Sequence, residues 1–132
     1  SEVAQWGLMN VQQMLEHLLF PLNFAITVNP IILVTPEEKL ERQREFLVSE
    51  FSMPKNFKTP FLPKDKTVPL IKPDLQESKQ LLNETIVQFL NVINASDFTT
   101  KLHPVFGQLD KQGWLMFQYK HFSHHFMQFG LL

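Results

Sequence analysis

The sequence contains no cysteine. A disulfide framework, a thiol nucleophile and a cysteine-based zinc site are therefore excluded, and the composition fits a cytoplasmic location. An excess of either charge is also missing: 12 Lys and Arg stand against 13 Asp and Glu, for a net charge of -1. That removes the electrostatic case for nucleic acid or for an anionic membrane surface as a partner. Long apolar runs are lacking too. Stretches such as Pro30-Ile31-Ile32-Leu33-Val34 fall far short of the roughly 20 residues that a membrane-spanning helix needs. No basic-then-apolar leader opens the chain, and Ser1 stands in place of an initiator Met, which fits processing or trimming. No phosphate loop, serine elbow or pair of carboxylates at catalytic spacing is present.

What is present is an ordinary globular composition, 44% hydrophobic and 19% charged over 132 residues, which predicts one domain over 1–132. Thirteen Phe against a single Tyr predict a core of purely apolar rings. Four helices are expected. The first runs from about Asn10, a capping residue, to Val28, with Pro21 kinking it or resetting its start. It carries apolar bands on two sides and only a narrow polar strip (Gln12, Glu16, Asn23, Thr27), so it is predicted to be largely buried, with His17 inside one band. Thr35-Pro36-Glu37-Glu38 is a helix-start signal: a capping Thr, then Pro at the first helical position. The second helix then runs to about Phe51.

Residues 52–73 hold five of the nine prolines and read as a long loop that permits a crossover. The third helix, Asp74 to Asn94, has Leu75, Leu82, Ile86, Phe89 and Ile93 on a bundle seam. The fourth is capped by Asp110, runs to about Phe129 and stops at Gly130. With no convincing strand, the fold class is all-α, a four-helix bundle.

Three of the five histidines fall within residues 121–125. On a helix, His121 and His125 lie about 40° apart and one turn above each other, the spacing that lets two imidazoles share one ion. His124 points about 100° away from His125, so it leaves the shared face. Two imidazoles seldom hold a divalent metal alone, and His17, mid-helix on a buried face, is the natural third ligand. Imidazole suits Zn, Ni, Fe and Cu, and three protein ligands leave positions open for chemistry.

The competing account makes these histidines core polar residues. His103, before Pro104, is expected to stitch its loop rather than catalyse. Gln13 and Gln128, each about one turn from a candidate ligand, are candidates to orient it or are simply half-buried amides. Lys55, Lys58, Lys64, Lys66 and Lys72 suit either an anionic substrate or, more simply, a solvated loop. Glu16 and Glu84 are single acids with no specific message. Asn83-Glu84-Thr85 and Asn94-Ala95-Ser96 match the glycosylation pattern by chance.

Trp6-Gly7-x-Met9-x-x-Gln12-Gln13-Met14-Leu15-x-His17, His103-Pro104-x-Phe106-Gly107-x-Leu109, Trp114, and His121-x-x-His124-His125-x-x-Gln128-Phe129-Gly130 together resemble the DinB-like superfamily, in a branch of unassigned function. The resemblance implies a bacterial-type four-helix bundle with an up-down-down-up course. It implies a divalent metal (Zn, Ni or Fe) held by His17, His121 and His125. Better-characterised relatives are thiol-dependent transferases or isomerases, so the resemblance implies a metal-dependent transferase or hydrolase acting on a small molecule. The alternative is a non-catalytic helical interaction or stress-response module, a homodimer in one form of it, that offers Met116, Phe117 and Met127 on an exposed face of the last helix to a partner helix.

Overall fold

The computed structural model describes residues 3–54 and 69–132. Residues 55–68, with Lys55, Lys58, Lys64 and Lys66 and most of the segment assigned as a crossover, lie outside the described residues. The chain is mostly helical. Its elements are α1 (Val11–His17), α2 (Leu19–Ile26), α3 (Leu40–Val48), α4 (Leu75–Ile93) and α5 (Lys111–Gln128), with a small hairpin of β1 (Lys101–His103) and β2 (Gly107–Leu109). An all-α bundle is the right class, and the hairpin is an addition that the sequence did not announce.

The first expected helix is present as two pieces, α1 and α2, joined at Leu18, which itself keeps right-handed helical angles. Pro21 explains the break. It has no N–H to give the carbonyl of His17, four residues back, and its ring crowds that carbonyl. Asn10 caps α1 as expected. Its side chain accepts from the Gln13 N–H at 2.8 Å while the Gln13 side chain accepts from the Asn10 N–H at 2.9 Å, a reciprocal capping box. Both sides of the broken helix are covered, with Met14, Leu15, Leu18, Leu19, Leu22 and Ala25 all buried.

The second expected helix starts later than its sequence signal. The Thr35 hydroxyl does not cap it but donates to the Val105 carbonyl at 2.6 Å. Glu37–Lys39 then make one 3₁₀ turn, and α3 begins at Leu40 and ends at Val48, short of Phe51. A capping residue engaged by a tertiary contact is lost to the local motif. Asp74 and Asp110 do cap α4 and α5, accepting from the N–H groups of Glu77 and Gly113, each at 2.8 Å. At the end of α5 the Leu131 N–H reaches the Phe126 carbonyl and the Gly130 N–H reaches that of Met127. Gly130 takes a φ of 70°, the left-handed turn of a Schellman stop that glycine adopts without penalty.

The hairpin pairs Lys101 with Leu109 and His103 with Gly107 in antiparallel register. It is tied to the segment before α3 by the Val34 N–H on the Pro104 carbonyl, and to α3 by Arg44 Nε on the Phe106 carbonyl. Helices α1 and α2 pack on α4, and α3 packs on α5. The centre is filled by Trp114, Phe106, Phe129, Met14, Leu18 and Leu22, all fully buried. No helix among the described residues is long and apolar enough to cross a membrane.

Candidate metal centre

The face of α5 turned inward is not its stripe of Leu115, Phe122 and Phe126, which is only partly buried, but Trp114, Phe117, Gln118, His121, His124, His125 and Gln128. Burying so many polar groups is costly unless each finds a partner. The partners that the histidines and Gln128 find show how the face is organised. His17, the last residue of α1, meets His121 and His125 of α5. His17 Nε2 lies 3.1 Å from His121 Nε2, and His125 Nε2 lies 3.1 Å from the same atom. One nitrogen of each ring falls within 4.8 Å of the others, so the three could hold a metal ion.

The protonation pattern follows from the surroundings. Gln128 Nε2 donates to the Trp6 carbonyl at 2.7 Å, which leaves Gln128 Oε1 as an acceptor 2.9 Å from His125 Nδ1. His125 Nδ1 therefore carries the proton, and the Nε2 of the neutral ring presents a lone pair to His121 and His17. Gly7 makes this possible. A Cβ there would lie 2.5 Å from Gln128 Nε2, and its φ of 86° disfavours any side chain.

All three rings are held neutral. Burial, then the nearness of His124, lowers His17 to about 4. Burial, then the approach of His17, lowers His125 to about 3 against the opposing effect of Gln128. Burial, with His125 and then His17 close by, puts His121 well below the ordinary histidine range.

Three neutral imidazoles in this arrangement do not satisfy one another. His125 offers only a lone pair, so His121 Nε2 must donate to it. That N–H then cannot also accept from His17, and His121 Nδ1 is left buried without a partner. One cation receiving three Nε2 lone pairs removes the conflict. Two of the three separations, 3.1 Å each, fit as well, since two imidazole nitrogens about 2.0–2.1 Å from one ion stand roughly 2.8–3.4 Å apart between octahedral and tetrahedral angles. His17 is the partly exposed member of the three, so the cluster meets solvent on the α1 side.

His124 lies outside the trio, as its helical angle requires, but it is buried. It packs edge-on against Trp6 and bonds to the Met53 backbone. His103 stitches its loop: its Nδ1 accepts from the N–H groups of Val105 at 3.0 Å and Phe106 at 3.3 Å. Its ring is walled by Phe106, Trp114 and Phe117. Phe117, expected on an exposed docking face, is buried there and stacks on His121 with rings 12° from parallel. Packing in the core, not helical angle alone, decides which side of α5 is wet.

Two buried charged anchors around the site were unreadable in the sequence. Glu16, seemingly a lone acid, is buried beside His17. Its carboxylate accepts from the N–H groups of Ile71 at 2.6 Å and Lys72 at 2.9 Å and from the Ser78 hydroxyl at 2.8 Å. Burial works against its charge, but these donors outweigh it and hold the carboxyl below its usual range. Lys120 donates to the carbonyls of Ser49 and Phe51, anchoring α5 at the end of α3. Neither residue sits in a sequence motif, because the backbone groups that each one binds are more than fifty residues away.

A helical bundle with a three-histidine cluster is thus the class that fold and site define. The chain belongs to the family described as "Protein of unknown function (DUF1569)", whose model matches residues 50–130. That span includes His103, His121 and His125 and leaves out His17. Comparisons with curated proteins and with solved structures give no match.

Proposed function

We propose that this protein is a divalent-metal-dependent enzyme of the DinB-like superfamily, with Zn, Ni or Fe held by His17, His121 and His125. The observation that carries the reading is the fixed tautomer of His125, which aims a lone pair at the two other Nε2 atoms. The place of the family within the DinB-like fold clan supports it. A divalent ion at this point would lower the pKa of a thiol or water brought to it, or polarise a carbonyl. The chain supplies neutral ligands, a ring orientation locked through Gln128, and the partly exposed edge at His17 for approach of a small molecule. The reaction class that suits this is a thiol-dependent transfer or a hydrolysis.

Elemental analysis of untagged protein reconstituted with Zn, Ni or Fe tests the reading. One metal per chain is expected, lost in His121→Ala or His125→Ala. Metal at one hundred times its Kd should add about 2.7 kcal/mol to stability, read as a melting midpoint that falls on adding a chelator. Protein that takes up none of these metals, with a midpoint indifferent to chelator, would sink it.

A further inference from the structure

Gln118 stands three residues before His121 on the inward face of α5, 7% exposed, and both atoms of its amide are buried without a partner. His121 Nδ1 is likewise buried and unpartnered. Among the described residues, Gln118 Oε1 is the only buried side-chain oxygen left in this state. Residues three apart on a helix are neighbours, about 5–6 Å between Cβ atoms, and a helical side chain leans back over the preceding turn. His121 follows this rule: its ring stacks on Phe117, the neighbour of Gln118 on the preceding turn. The same helix shows that a glutamine three residues from a histidine can serve it, though from the other side: Gln128, three residues after His125, accepts from its Nδ1.

We infer that Gln118 is the positioning residue for His121. When His121 Nε2 gives its lone pair to a metal, the ring proton must sit on Nδ1, and Gln118 Oε1, buried, unpartnered and three residues away, is the acceptor that we assign to it although the two atoms are not bonded in this structure. Each late histidine would then have its own glutamine, and both rings would be fixed in the Nε2-binding tautomer. The inference rests on the metal reading above and adds a role that the metal reading does not require.

The test is Zn(II) affinity, measured by competition with a chromophoric chelator, for wild type, Gln118→Leu, Gln118→Glu and Gln128→Leu. Gln118→Leu should weaken binding about 10- to 100-fold, as loss of such partners does, and Gln128→Leu by a similar factor. Gln118→Glu, which keeps an acceptor oxygen at the same reach, should restore it. A side chain that merely fills space would give the opposite order, with Leu neutral and Glu harmful.

In zinc-loaded wild type, a proton resonance on His121 Nδ1 in contact with the Gln118 side chain is expected, and this readout does not depend on how the variants fold. Unchanged zinc affinity in Gln118→Leu beside a weakened Gln128→Leu overturns the inference alone, as does a His121 Nδ1 proton that contacts only backbone. Wild type that binds no zinc overturns the metal reading beneath it.

Discussion

Replacing His103 with Asn should make stability less steeply dependent on pH between 7 and 5, with the slope from the buried His17, His121 and His125 left in place. His103 is 2% exposed, and burial lowers it from 6.5 to about 3. In the unfolded chain it titrates near 6.5. Over the window from about 6.5 down to about 3 the unfolded state therefore binds a proton that the folded state refuses, and stability falls as pH falls. From pH 7 to pH 5 the loss from this one residue is about 2 kcal/mol at 1.36 kcal/mol per pH unit. At roughly 4 °C per kcal/mol for a chain of this size, that is about 8 °C in the melting midpoint. Asn keeps an acceptor near the place of Nδ1 for the Val105 and Phe106 N–H groups and cannot titrate. The variant starts less stable because the ring packing is lost, so the diagnostic is slope rather than level. Chelator-treated wild type and variant would be melted at half-unit pH steps. Parallel curves would refute the reasoning, for they would mean that His103 binds its proton equally well in both states.

Two further variants probe the supports of the site. Glu16→Gln replaces an acceptor of three hydrogen bonds with an amide that turns an N–H toward at least one donor, and should cost about 2 kcal/mol in urea unfolding at pH 7; a change under about 0.5 kcal/mol, the range of an ordinary surface substitution, would contradict the clamp. Gly7→Ala puts a Cβ against Gln128 Nε2 at positive φ and should cost about 1–2 kcal/mol of stability. It should also weaken Zn(II) binding about 10-fold by releasing His125. Binding as tight as wild type would separate Gly7 from the site.

Local signals were legible where the chain's own neighbours satisfy them. Asn10, Asp74 and Asp110 cap helices because the N–H groups they serve lie three residues away, and Gly130 ends α5 for the same local reason. Thr35 carries an equally good signal and fails, since its hydroxyl is used 70 residues on, at Val105. The hairpin at 101–109 gave no strand signal because each strand is three residues long, too short for an alternation to show.

The trio was readable for a related reason. His121 and His125 need only helical angle to converge, and His17 was singled out by its place inside an apolar band of its helix, though the structure leaves it partly exposed. What surrounds them was not readable. Gln128 acts through a carbonyl 122 residues away, and only because Gly7 leaves room for the amide. Glu16 reads as a solvated acid until the segment before α4 folds over it. The pairing of His121 with His125 is thus a property of short helical spacing, while the approach of His17 and the proton on each ring are properties of the closed tertiary structure. It follows that substitutions at the distant supports, Gly7 above all, should change the affinity for a metal bound by the trio while leaving the three histidines themselves in place.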